Sequence, residues 1–132
     1  IDAIKSGASF IVSPGLSKEV DLVCKENNIP YLPGVVTPTE IMEALSLNRT
    51  ILKFFPAGVF GGLKAIKALG AAFPIVKFVP TGGANNDNLK EFIECDKVFA
   101  VGGSFLSLKT YDETVEACIK ARNTIKEIRN NG

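Results

Sequence analysis

Apolar residues gather into five short runs rich in β-branched and aromatic side chains: Ser9 to Ser13, Tyr31 to Val36, Ile51 to Phe55, Ile75 to Pro80 and Val98 to Gly102. Their first residues, at positions 9, 31, 51, 75 and 98, lie 20 to 24 apart, the length of one strand plus one helix with short loops. The intervals carry helix signals. Thr37-Pro38-Thr39-Glu40 combines a capping box with proline at the first helical position, and Thr110-Tyr111-Asp112-Glu113 offers a second box. Asn85 or Asn86 can cap a segment running through Glu94, while Gly61-Gly62 opens a helix carrying Leu63, Ile66 and Leu69. In the last segment Val115, Ile119, Ala121, Ile125 and Ile128 fall mainly on one side, which predicts a surface helix covering a sheet. Alternating buried strands and amphipathic helices predict right-handed crossovers and a parallel sheet, hence an α/β protein.

Each predicted strand ends in a polar or backbone-permissive motif: Ser13-Pro14-Gly15, Pro33-Gly34-Val35-Val36-Thr37, Lys53-Phe54-Phe55-Pro56-Ala57, Pro80-Thr81-Gly82-Gly83 and Val101-Gly102-Gly103-Ser104. In parallel strands these motifs meet at one edge, the rim where a β/α barrel builds its active site. A doubly wound open sheet also binds ligands there, but no G-x-G-x-x-G or Walker loop marks a nucleotide site.

Lys53 interrupts the apolar run Ile51-Leu52-Lys53-Phe54-Phe55. Burial disfavours the charged form of a lysine, and the neutral amine is the form that attacks a carbonyl carbon to make a Schiff base. The alternative is a lysine that snorkels from the strand or pairs with a distant carboxylate. Phe55 shares its strand face and would wall the amine off from water, or simply pack in the core. Thr81 stands at a strand end, where its hydroxyl either reaches a substrate oxygen or stabilises a turn. Gly82-Gly83 and Gly102-Gly103-Ser104 follow the last two strands, the position where barrels hold phosphate on backbone N–H groups; two tight turns would look the same. Lys77 has the phase of Thr81 but lies deeper, and reads as an ion-pair partner.

Composition narrows the classes. The 132 residues suit one soluble domain, and 15 basic against 14 acidic side chains leave no basic stripe for nucleic acid or a membrane surface. The absence of histidine removes serine-histidine triads and nearly every mononuclear zinc arrangement. Three cysteines, Cys24, Cys95 and Cys118, with no C-x-x-C pair suggest a reducing cytoplasm. No apolar run reaches membrane-spanning length, and Asn48-Arg49-Thr50 is a sequon that a cytoplasmic protein would not use.

Taken together, S-P-G, P-G-V-V-T-P-T-E, L-K-F-F-P-A, G-G-L-K-A-I-K-A, P-T-G-G and V-G-G-S resemble the later part of the 2-keto-3-deoxy-6-phosphogluconate (KDPG) aldolase family, which includes bifunctional 4-hydroxy-2-oxoglutarate (KHG) aldolases. The resemblance implies a metal-free, cofactor-free class I lyase on a (β/α)8 barrel, usually trimeric, that cleaves a 2-keto-3-deoxy sugar-acid phosphate to pyruvate and glyceraldehyde 3-phosphate. It implies that Lys53 carries the Schiff base, that Pro14, Phe55 and Thr81 line the substrate pocket, and that Gly82, Gly83, Gly103 and Ser104 hold the phosphate. It covers the fourth to eighth strands with their helices. Residues 1–132 are therefore expected to be a single domain forming the C-terminal portion of the barrel, with three βα units missing. The family's glutamate acid/base and its carboxylate-binding arginine would lie in those units; neither Asp21 nor Glu40 stands at a strand end to replace the glutamate. The expected partner is a small keto acid, with no nucleic acid or membrane. A different phosphate-binding barrel, or a non-catalytic module that keeps the phosphate loops, remains the alternative.

Overall fold

The computed structural model describes residues 1–130. There are five short strands, β1 (Ile11–Val12), β2 (Tyr31–Leu32), β3 (Gly34–Val35), β4 (Ile51–Phe54) and β5 (Lys77–Pro80); they fall within the first four predicted runs, and helices separate those runs. All pairings are parallel: β1 with β2, and β3 with β4 with β5 in that order. The predicted strand from Tyr31 to Val36 is divided between β2 and β3. The division falls at Pro33, which has no N–H to give to a ladder but whose carbonyl accepts from the Lys53 N–H at 2.9 Å.

The run from Val98 to Gly102 departs further from expectation. It makes one parallel bridge, Val98 with Phe78, together with Phe99 N–H to Phe78 O at 2.8 Å and Gly102 N–H to Pro80 O at 3.1 Å. It runs beside β5 without becoming a ladder, because among the described residues no strand pairs with its other side and it ends in glycines with no side chain to pack.

The helices begin where their caps dictate. Ser17 accepts from Val20 N–H at 3.3 Å to open α2 (Lys18–Glu26), and Thr37 and Glu40 form a reciprocal capping box ahead of α3 (Pro38–Ser46). Gly61, at φ 92°, turns the chain into α4 (Gly62–Ala72). Thr110 and Glu113 exchange bonds of 3.1 and 3.2 Å at the start of the long final helix Tyr111–Asn130, following the short helices Asp2–Lys5 and Leu89–Ile93. In chain order the latter are α1 and α5, and the final helix is α6.

Two helix expectations need correction. Asn85 does not cap α5: its side chain accepts from Asp87 N–H and Asn88 N–H, folding a turn before the helix, and Asn88 occupies the cap position. Nor does α6 cover the sheet. Ala121, Ile125 and Ile128 pack on Leu89 and Ile93 of α5 and on the 3-10 turn Ser104–Leu106, while Val115 and Ile119 stay exposed.

The sheet has two unlike faces. Leu52, Phe54 and Phe78 point toward α3 and α4, are fully buried with Ile41, Ala44 and Ile66, and form the core; the rings of Phe54 and Phe78 meet edge to face at 6.0 Å. The alternate residues Ile51, Lys53, Val79 and Thr81 stand on the other face and are half-buried. One buried ion cluster braces the outer layer. Asp21 of α2 accepts from Arg49 Nε at 2.6 Å and Lys25 Nζ at 2.7 Å. Burial pushes the Asp21 carboxyl up, but the hydrogen bonds and charges of Lys25 and Arg49 outweigh it and hold the group below its ordinary value.

Candidate active site

β4 and β5 carry the chemistry. Lys53 pairs in register with Val79, and Thr81 follows two residues later on the same face, so both residues border one cleft of about 550 Å³. Val12, Leu32, Ile51, Val79 and Val101 make most of its remaining wall apolar. The strand does not bury Lys53 as the apolar run predicted: the side chain is half-buried, because its face of the sheet carries no covering layer among the described residues. Its Nζ lies 4.4 Å from the centroid of the Phe55 ring, and no described carboxylate pairs with it. The ion-paired alternative thus finds no carboxylate partner among the described residues, whereas the half-burial agrees with a lysine that snorkels from the strand.

Thr81 Oγ1 is buried and, among the described residues, is the one buried side-chain oxygen or nitrogen without a hydrogen-bond partner. A native fold seldom leaves such a hydroxyl unpaired unless something else is to pair with it.

Past Lys53 the chain turns through a cis Phe55–Pro56 bond, and the following loop is tied to the end of β5 by Ala57 N–H to Thr81 O and Gly58 N–H to Gly82 O, both 2.8 Å. Gly82 and Gly83 have φ of 77° and 95°, and a Cβ on Gly82 would meet the Phe55 ring at 3.1 Å. Gly103 is extended, but a Cβ there would lie 3.1 Å from the Ala84 carbonyl, which is how closely the two glycine loops adjoin. Among the described residues nothing accepts from the N–H groups of Gly82, Gly83, Gly103 or Ser104. These four N–H groups belong to the two loops that follow β5 and the run beside it. The first pair does not feed directly into a helix, since α5 begins only at Leu89; instead Asn88 fixes the loop by donating to Gly83 O at 2.9 Å.

Pro14 does not line the cleft, but its carbonyl lies against Gly34, where a Cβ would be only 1.9 Å from the oxygen. Lys77 makes no ion pair among the described residues and donates to the Asp96 carbonyl. Glu40 is spent on α3: its Oε2 accepts from Val36 N–H, Thr37 N–H and the Thr37 hydroxyl. Burial raises the Glu40 carboxyl, and those bonds more than offset this, leaving it below its ordinary value. Sequence reasoning overlooked Tyr31, Gly34 as a close-approach position, and Asn88. Only the P-G pair gave a local hint; the others depend on contacts between distant segments.

Parallel strands that end in glycine loops, with Lys53 and Thr81 bordering one apolar cleft, define an α/β protein with a candidate site at the carboxyl edge of its strands. The family model for KDPG and KHG aldolase matches residues 1–120, and the chain belongs to that family. The 2-dehydro-3-deoxy-phosphogluconate aldolase of Treponema pallidum is 41% identical over 101 residues, 76% of this chain and 48% of its own length. The KHG/KDPG aldolase of Escherichia coli K12 is 36% identical over 105 residues, 80% of this chain and 49% of its own. This chain spans about half the length of these curated relatives. Among solved structures, KDPG aldolase from Legionella pneumophila, with pyruvate captured at low pH as a covalent carbinolamine, superposes with a TM-score of 0.83 at 36% identity, covering 91% of this chain and 61% of that one.

Proposed function

We propose that this chain carries the nucleophile and phosphate loops of a class I aldolase acting on 2-keto-3-deoxy-6-phosphogluconate, and on 4-hydroxy-2-oxoglutarate as a second substrate. The observation that supports it most is that Lys53 borders one apolar cleft with Thr81, whose buried hydroxyl has no partner among the described residues. Lys53 as a free amine adds to the C2 ketone; the carbinolamine loses water to give an iminium. A base removes the C4 hydroxyl proton, the C3–C4 bonding electrons move into the iminium, and glyceraldehyde 3-phosphate leaves. The enamine takes a proton at C3 and water releases pyruvate from Lys53. Phe55 supplies a flat wall beside the amine and Thr81 donates to a substrate oxygen, while Pro14 stays outside the cleft lining. Gly82, Gly83, Gly103 and Ser104 hold the phosphate through N–H groups that have no partner among the described residues.

No carboxylate lines the cleft among the described residues, so the base comes from elsewhere in the protein. We read the chain as one domain, the fourth to eighth βα units of a (β/α)8 barrel, with the acid/base glutamate on the remaining units. The open sheet face and the match to about half of each curated relative support this. The unpaired cysteines fit a cytoplasmic protein, and family likeness supports a homotrimer of complete chains.

Incubation with pyruvate and borohydride, followed by mass spectrometry, tests this reading. The expected result is slow, stoichiometric gain of one pyruvate less water plus two hydrogens, abolished in Lys53→Arg. Binding of sugar phosphate without any adduct would instead identify a non-catalytic module.

A further inference from the structure

The loop between β5 and α5 is held peptide by peptide. Ala57 N–H donates to Thr81 O and Gly58 N–H to Gly82 O, both at 2.8 Å, and the Asn88 side-chain amide donates to Gly83 O at 2.9 Å. A trans peptide points its C=O and the following N–H in opposite directions, so each carbonyl tied down in this way fixes the heading of the next N–H. The three groups so fixed are the N–H donors of Gly82, Gly83 and Ala84. Among the described residues none of the three has an acceptor. Ala84 stands apart from the glycines because it is only 6% exposed, and a buried N–H is seldom left without a partner. Its carbonyl lies against Gly103 of the second glycine loop.

The first two ties are backbone to backbone; the third depends on one side chain. Asn88 occupies the cap position of α5, where an asparagine ordinarily accepts from an N–H inside the helix, and it makes no such bond. Its oxygen accepts instead from Asn85 N–H at 2.9 Å while its nitrogen holds Gly83 O. Both ends of the amide are engaged with the loop, and the helix goes without its cap. A residue that served only the fold would cap α5.

Resting on the phosphate reading of the glycine loops above, we propose that Ala84 N–H is a further donor to a phosphate monoester and that Asn88 is the positioning residue that aims it, through the Gly83 carbonyl. Successive backbone N–H groups in a turn form a concavity suited to an anion. Asn88 itself lies outside the lining of the cleft that Lys53 borders, so its effect falls on the phosphate and not on the amine.

The test follows backbone amide shifts of the full chain during titration with inorganic phosphate, beside borohydride trapping of pyruvate, in the unmodified chain, Asn88→Ala and Asn88→Ser. In the unmodified chain the Ala84 amide should move together with those of Gly82 and Gly83, with one midpoint. Asn88→Ala should raise that midpoint roughly tenfold, the effect of loosening one charge-assisted hydrogen bond, while pyruvate, which carries no phosphate, is trapped at Lys53 within about twofold of the original rate. Serine removes the amide donor but is a good helix cap, so Asn88→Ser should lose phosphate affinity while its urea midpoint holds or rises. An Ala84 amide that stays still while the glycines respond, or unaltered phosphate affinity in both variants, overturns the proposal. Parallel loss of phosphate binding, trapping and stability in both variants overturns it too, since Asn88 would then be a structural support alone. If no loop amide of the unmodified chain responds to phosphate, the phosphate reading of the glycine loops fails, a result distinct from these.

Discussion

The two faces of β4 and β5 carry the same kind of alternation and serve opposite ends. On one face Leu52, Phe54 and Phe78 are sealed beneath helices; on the other Lys53 and Thr81 stand in a cleft with unmet bonding capacity. Because successive residues of a strand point to opposite sides, a single four-residue strand can anchor the fold with its even positions and present chemistry with its odd ones. The difference teaches that residues adjacent in sequence here answer to different constraints: packing density at Phe54, reactivity at Lys53.

The comparison is broken most severely from the packed side. Phe54→Ala should cost ~3–5 kcal/mol of unfolding free energy in urea titration, whereas Val79→Ala on the cleft face should cost under about 1 kcal/mol. Equal losses would mean that the two faces are packed alike. Next in size, Asp21→Asn leaves Arg49 and Lys25 without their carboxylate and should cost about 3 kcal/mol, again by urea titration, while leaving the cleft lining untouched.

Acid should act on the same outer layer. The carboxyls of Asp21 and Glu40, ordinarily 3.8 and 4.5, are both lowered in the fold, so the unfolded chain binds more protons in that range. Their stabilisation is fully present above pH 5 or so and is lost as pH falls through the depressed folded values. Urea midpoints measured from pH 7 to pH 3 should fall at the acid end, and Asp21→Asn should flatten part of that slope. The smallest effect on stability belongs to Thr81→Val. Replacing an unpaired buried hydroxyl by a methyl should leave stability unchanged or raise it by ~1 kcal/mol, while slowing adduct formation at Lys53. Clear destabilisation would show that the hydroxyl has a structural partner.

What the sequence disclosed follows the range of the interactions involved. β4 and β5 fall inside their predicted runs, and the capping boxes at Thr37 and Thr110 form as read, since both signals are local. Pro33 splitting a strand was readable in principle from its missing N–H. Lys53, Thr81 and the glycines stood out because their types conflict with their surroundings, and the fold brings their strand ends to one edge. The bonds of Asp21 to Arg49 and of Tyr31 to Ser13 join residues 28 and 18 positions apart, and nothing in the local pattern marks them as neighbours. The half-burial of Lys53 was also hidden, because an apolar run does not reveal which of its two faces will be covered.

The most direct measurement is peptide mapping of the chain after pyruvate and borohydride treatment. Lys77 lies on the same face of the neighbouring strand, two residues deeper by register, and serves as an internal control. The account predicts the reduced adduct on the peptide containing Lys53 and none on the peptide containing Lys77. Label shared equally among Lys77 and the surface lysines would contradict it, since Lys53 would then be no more nucleophilic than any exposed amine.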